Sequence, residues 1–157
     1  MKENRGSNEK GLTIHELLIM LTIIAVLSSV AVPHFAEWIK NCECRAAARN
    51  MVYVLREARS KAISTNFEHR VDFEPLHRRF RVVRGNRATN SNEWSTVVYD
   101  WQQLAAGVNI SANIPSIHMN TNGTANGGTI SIQDENKSTK YEVRVARTGR
   151  IHIPSIL

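Results

Sequence analysis

Residues 11–33 read GLTIHELLIMLTIIAVLSSVAVP, and this stretch sets the organisation of the chain. Residues 17–32 carry no charge, and a few flanking residues bring the run to the roughly 20 that span a hydrocarbon core. Ten wholly polar residues, MKENRGSNEK, precede it, with Lys2, Arg5 and Lys10 set against Glu3 and Glu9. Positive residues before the run and fewer after it place the N-terminus in the cytoplasm. An ordinary secretory signal has a shorter apolar region followed by a small-x-small cleavage site. Ala31-Val32-Pro33 is a poor version of that site, and the polar leader is long. The run therefore predicts a single membrane-spanning helix over about residues 12–34. Glu16 is a carboxylate near the start of this apolar helix, where it is costly in a bilayer and marks a functional position.

Helical periodicity continues beyond Pro33. Phe35, Trp38 and Ile39 recur at i, i+3 and i+4. Ala46 to Ala48, Met51, Val52, Val54, Leu55, Ala58, Ala62 and Ile63 extend an apolar stripe, while Arg45, Arg49, Arg56, Arg59 and Lys61 largely take the other face. The spacing predicts one long helix over 12–66. Its first half would sit in a membrane or filament core, and its second half would pack on a head domain.

From Phe67 onward the period changes to that of strands. Val71 and Phe73 alternate with polar residues, Phe80 and Val82 with Arg79 and Arg81, and Ile130 and Ile132 with Thr129, Ser131 and Gln133. Residues 94–101 are rich in β-branched and aromatic side chains. Tyr141, Val143 and Val145 form another alternating run, and Ile151-His152-Ile153 a final short one. Turn signals separate them at Gly85-Asn86, Asn122-Gly123, residues 126–128, residues 134–137 and Thr148-Gly149. Residues 85–93, GNRATNSNE, read as a flexible loop. The fold class is α+β: a long N-terminal membrane-spanning helix packed on a C-terminal antiparallel β-rich head over 67–157. A head of roughly ninety residues can hold a modest core when the helix covers one sheet face.

The 157 residues carry 20 Lys and Arg against 14 Asp and Glu, a net +6. Two cysteines make neither a disulfide-dense scaffold nor a four-thiolate zinc site. His15, His34, His69, His77, His118 and His152 have no metal-like spacing, and no nucleophile elbow, phosphate loop or dinucleotide fingerprint is present. The reading is a chain that is not an enzyme and takes no cofactor or metal.

Gly11-Leu12-Thr13-Ile14-His15-Glu16-Leu17-Leu18 resembles the prepilin signature of type IV pilins and pseudopilins. The resemblance implies a leader over 1–11, cut between Gly11 and Leu12 by a prepilin peptidase, and N-methylation of Leu12. It implies that Glu16, the fifth residue after the cut, pairs with the new N-terminal amine of its own or a neighbouring subunit. Such a partner is needed because an unpaired buried charge costs several kcal/mol. Pro33 falls at mature position 22, where many of these proteins carry a helix-kinking proline. Leu12 stands where Phe is usual, and His15 replaces an apolar residue. His15 either lies neutral at the interface or, when protonated, competes for Glu16. A generic single-pass anchor is the alternative.

The C-terminal half is similar to the GspH/FimT minor-pilin branch over about residues 45–153. Leu55-Arg56-Glu57-Ala58-Arg59-Ser60-Lys61-Ala62-Ile63 matches its helix-end pattern, the stretch from Gly123 to Ile132 its glycine turn and strand, and Val143 to Ile151 its closing segment. The resemblance implies a minor pilin or pseudopilin of a type IV filament or type II secretion system, with a structural role in filament assembly and protein secretion. It implies a single-pass protein of the bacterial inner membrane with a periplasmic head, which then enters a filament. Its partners would be other pilins and an inner-membrane assembly platform. The alternative is a FimT-like DNA-binding subunit in natural transformation. That branch uses a Gly-Arg-x-Arg motif, and here Gly149-Arg150-Ile151-His152 keeps only the first Arg. Arg144, Arg147 and Arg150 are the candidate DNA contacts.

Two further features stand apart. Arg70, Arg78, Arg79, Arg81, Arg84 and Arg87, against Asp72 and Glu74, form either a solvated sheet face or an acid-seeking patch. Cys42 and Cys44 are two apart on a helix, so their thiols point about 200° apart. They are either two small helix residues or a site of crosslinking to another subunit or of lipid modification.

Overall fold

In the computed structural model of the chain, the described residues are 13–154. One α-helix, α1 (Ile14–Thr65), is followed by eight strands. The strands are β1 (His69–Glu74), β2 (Arg79–Arg84), β3 (Thr96–Gln103), β4 (Asn109–Ala112), β5 (Ser116–Met119), β6 (Gly128–Gln133), β7 (Thr139–Val145) and β8 (Ile151–His152). A short 3-10 turn, Pro75–His77, links β1 to β2. Met1–Trp38 and Ile39–Leu157 are separate compact units. The helix matches the expected bounds to within a residue or two and runs through Pro33.

The first unit departs from expectation in one respect. Among the described residues no helix is long and apolar enough to cross a membrane, so the span expected over about 12–34 is not met. The charge-free run is 16 residues, which rises roughly 24 Å as a helix, short of a hydrocarbon core of about 30 Å. Polar His15 and Glu16 precede it, and Pro33-His34 follows it. The leader over 1–11 and its junction, Gly11 and Leu12, lie outside the described residues.

In the second unit the strands form two antiparallel sheets of four, ordered β3-β2-β1-β5 and β4-β6-β7-β8. The alternation behind the strand assignments explains their burial. Val71 and Phe73 of β1, Phe80 and Val82 of β2, Ile130 and Ile132 of β6, and Val143 and Val145 of β7 all face inward and are buried. They meet the helical stripe of Ala48, Met51, Leu55, Ala58 and Ala62, each no more than 1% exposed, in one core cluster. Helix, period and core therefore agree, as they do in sequences that specify one fold.

Strands β4 and β5 escaped the sequence reading, and with them the division into two sheets. Each is only four residues long, and Pro115 lies between them as a breaker. Yet Pro115 O accepts the Phe73 amide at 3.0 Å, and Ile110, Ile117 and Met119 are buried. The segment 120–126 then carries the chain from one sheet to the other. Ala125 N donates to Arg147 O at 3.0 Å and Asn126 N to His118 O at 3.3 Å.

Residues 85–93, expected to be flexible, are instead tied down. Glu68 is 7% exposed, and its carboxylate accepts the amides of Asn90 at 3.0 Å and Ser91 at 2.7 Å. Backbone bonds from Gly85 N to Glu68 O and from Glu68 N to Arg87 O complete the hold. The polar composition of the loop is real, but a buried acid uses its amides as partners.

Candidate functional site

The N-terminal segment is organised by its cap. Thr13 O accepts the amides of Glu16 and Leu17 at 3.1 and 3.2 Å, and Thr13 Oγ1 lies 3.3 Å from the Glu16 amide. Thr13-x-x-Glu16 is thus the spacing of a capping box, with Thr13 satisfying a helix-terminal donor. Sequence reading singled out Glu16 for its charge and missed this local role, although the spacing was visible. Beyond the cap, Leu17, Leu18, Ile19, Met20, Leu21, Ile23, Ile24, Val26 and Leu27 are all more than half exposed, so among the described residues no face of this stretch is buried within its own unit. Two of its hydroxyls are internally satisfied: Thr22 Oγ1 donates to Ile19 O at 2.8 Å and Ser29 Oγ to Val26 O at 2.7 Å.

In the head, the residues of the recognised sequence patterns meet in space. Arg59 Nε donates to Gly123 O at 2.8 Å, across 64 positions of sequence. Gly123 and Gly149 both have φ near +80°. A Cβ at Gly149 would stand 1.9 Å from Gly123 O and 2.8 Å from Arg59 Nε. One helical arginine therefore latches the Gly123 turn, and the Gly149 turn packs against that latch at a distance that leaves no room for a Cβ.

Three arginines of the first basic set, Arg70, Arg79 and Arg81, are paired with carboxylates within the sheet β3-β2-β1-β5. Arg79 and Arg81 share its outward face, as expected. Asp72 receives Arg81 Nε at 3.0 Å and Arg70 Nη2 at 3.2 Å, with Arg70 Nε 2.7 Å from the other oxygen. Glu74 accepts from Arg79 Nε and meets His77 Nδ1 at 2.7 Å. These bonds hold its carboxyl below the usual carboxylate range, Arg79 contributing most. Trp101 lies under both Arg79 and Arg81, at 4.5 and 4.6 Å, and Trp94 lies 4.6 Å from Arg70. Arg84 stacks on Phe67 at 5.0 Å, and Arg78 closes the 3-10 turn at φ 52°. Arg70, Arg79 and Arg81 thus form a paired lattice on this face, whereas Arg78, Arg84 and Arg87 have no carboxylate partner among the described residues.

The outward face of the other sheet holds a groove of about 430 Å³. Thr129, Arg144 and His152 lie side by side across β6, β7 and β8, and Asn113 extends the row, its Oδ1 accepting the Thr129 amide at 2.8 Å. Arg147, Gly127 and Gly128 help close it. Of the three arginines expected to act together, Arg144 and Arg147 line the groove and Arg150 does not. Arg144 is also engaged by Glu142 at 2.9 Å. The lining offers guanidinium, hydroxyl and amide groups, which suit a polar or anionic chain. Asn113, Thr129 and the Gly127-Gly128 pair were not foreseen, because their row depends on strand register.

Cys42 is exposed, Cys44 is buried, and both are free. Cys44 Sγ lies 3.9 Å from Gln133 O, and burial pushes its thiol above the ordinary value. Two histidines are shifted the other way. His69 is 1% exposed with Nδ1 2.9 Å from Phe67 O. Burial, with Arg84 and Lys61 nearby, holds it below the ordinary imidazole value. His118 lies edge-on to Trp94 at 5.1 Å and is lowered by burial and by Arg70. Among the described residues no three His, Cys, Asp or Glu side chains form a metal-binding group.

The model of the family described as type II transport protein GspH matches residues 47–149. The solved structure of the minor pseudopilin EpsH from the type 2 secretion system of Vibrio cholerae is similar, with a TM-score of 0.59 at 15% identity. It covers 71% of this chain and 96% of that one. The type IV minor pilin FimU of Pseudomonas aeruginosa is also similar, with a TM-score of 0.59 at 16% identity, covering 74% of this chain and 92% of that one. At these identities the likeness establishes the fold. No curated protein matches the sequence.

Proposed function

The chain belongs to the GspH family of type II transport proteins, and from that premise we propose that it is a minor pilin or pseudopilin of a type IV or type II secretion filament. Its role is structural: the head supports filament assembly and, through it, protein secretion. The observation that carries this reading is the first unit. A helix with apolar side chains exposed on every face, and with Thr22 and Ser29 bonded to its own carbonyls, suits an apolar surround made by lipid and then by neighbouring helices.

In this account the precursor inserts in the bacterial inner membrane, N-terminus inward and head in the periplasm. The 16-residue run is short, and such a segment is accommodated by local bilayer thinning and by flanking residues reaching to the interface. The stacked Phe35 and Trp38, 5.6 Å apart, supply the aromatic pair usual at that level. A prepilin peptidase cuts between Gly11 and Leu12, and Leu12 is methylated. Glu16 then neutralises a new amine in the filament core, Pro33 kinks the helix, and an inner-membrane platform drives assembly.

Glu16→Ala tests the assembly role. The variant is expected to insert and to be processed, yet to be scarce in sheared filaments; normal incorporation would remove the charge pair from the account. A nucleic-acid role is not favoured. Arg144 is committed to Glu142, and Arg150 lies outside the groove that Arg144 and Arg147 line.

A further inference from the structure

The carboxylates of this chain answer its arginines unevenly. From Ile39 onward, Asp72, Glu74, Asp134, Glu135 and Glu142 are all in ion pairs. Glu57 pairs with Lys61 and accepts from Tyr99, and Glu68 is buried against its loop. Among the described residues of this unit only Glu43, Glu93 and Asp100 lack such partners, and they are scattered over the helix, a loop and β3. Arg45, Arg49 and Arg56 have no carboxylate partner among the described residues, and all three are exposed. They recur at i, i+4 and i+11 and so share one helix face, which runs for about 17 Å. Tyr53 and Ile63 lie on the same face, 64% and 52% exposed. Arg56 Nη2 reaches Ile151 O at 3.5 Å, which joins the stripe to β8, next to exposed Arg150.

We propose that this stripe of Arg45, Arg49, Tyr53, Arg56 and Arg150 docks an acidic surface on a different subunit of the filament. The inference rests on the filament reading above and adds which face meets the neighbour and what charge that neighbour carries. Guanidinium groups suit carboxylates because they bond them in pairs. Arginine and tyrosine are also the residues that dominate interface energies. A second copy of this chain is a poor occupant. The chain is +6 overall, most acids of the head are already engaged, and like charges brought together at an interface are costly. The stripe therefore selects a heterotypic neighbour, which fits a subunit present in few copies among others. A phosphate backbone would satisfy the arginines but offers no apolar complement to Tyr53 and Ile63, so an acidic protein face is the better fit.

The test uses the full chain in detergent micelles. It is titrated against each of the other pilin-like subunits of its own cell, against itself, and against duplex DNA of about 30 base pairs, at about 50 and 300 mM salt. An acidic subunit is expected to bind, and to lose about tenfold in affinity or more across that range. The triple variant Arg45→Gln/Arg49→Gln/Arg56→Gln is expected to weaken it about tenfold or more at low salt. Arg79→Gln/Arg81→Gln, which alters the internally paired face, is expected to change it less than about twofold. Thermal melts of each variant separate lost contacts from lost folding. Unchanged affinity in the triple variant, stripe-dependent self-association, tighter stripe-dependent binding to DNA, or no subunit binding would each overturn the proposal. Filament incorporation is scored in parallel. A triple variant that incorporates like the wild type removes only this docking face, whereas a wild-type chain that enters no filament removes the filament reading itself.

Discussion

Gly149→Ala is the substitution on which the head is most exposed to refutation. Gly149 has φ +78°, a conformation that costs a residue with a Cβ about 1–2 kcal/mol. The new methyl would also stand 1.9 Å from Gly123 O. Ordinary contact needs more than 3 Å, so the 122–124 turn must retreat by over about 1 Å. That movement breaks the 2.8 Å bond from Arg59 Nε to Gly123 O, a charged donor worth about 1.5–3 kcal/mol. Together the two effects predict a loss of about 2.5–5 kcal/mol. For a unit of this size the midpoint of thermal unfolding should fall by roughly 10–20 °C. Gly107→Ala is the internal control. Gly107 has φ +84°, but the nearest atom to its added Cβ is the flexible Glu135 carboxylate at 3.2 Å, so it carries only the backbone cost of about 1–2 kcal/mol. The assay is denaturant and thermal unfolding of both variants, of Arg59→Ala and of the Arg59→Ala/Gly149→Ala pair. The pair should lose less than the sum, because both changes break one latch. Equal effects of Gly149→Ala and Gly107→Ala, or strict additivity of the pair, would refute the latch.

Three further outcomes are expected. His69 and His118 are held below the ordinary value of 6.5 by burial, so the unfolded chain binds more protons below that pH. Their contribution to stability is fully present above about pH 6.5 and is lost as pH falls through the depressed folded values. A pH series of unfolding midpoints should show this slope shallower in His69→Gln, and an unchanged slope would count against it. Glu68→Ala should release residues 85–93, with faster amide exchange at Asn90 and Ser91 and a cost of about 1–3 kcal/mol. In native protein, exposed Cys42 should react with a thiol reagent while Cys44 reacts only on unfolding. Equal rates would place the two thiols in the same environment.

The legibility of the fold followed the range of the interactions that make it. The change from a helical to a strand period at Phe67 located α1 and most strands, because each period is a local property of burial. Strands β4 and β5, at four residues each, are too short for alternation to stand out, and Pro115 masked the rest. The Arg59 latch was visible as separate patterns, but their meeting spans 64 positions and needs the fold itself. Glu68 gave no signal, since its partners are loop amides 22 and 23 residues away. The opposite burial of Cys42 and Cys44 was readable from helix geometry alone. The paired lattice on the sheet face was half readable: Arg79 and Arg81, like Arg70 and Asp72, share a face by strand period alone, while the pairing of Asp72 with Arg81 depended on register. The membrane span rested on a run only 16 residues long, which the described helix does not extend to a full crossing.

The central claim is that this chain is a processed filament subunit of the GspH type. The most direct measurement is the intact mass of the chain extracted from membranes after co-expression with a prepilin peptidase. The account predicts a product lacking its first 11 residues and carrying one added methyl group on Leu12. A chain that stays at its full 157 residues beside an active peptidase would contradict it.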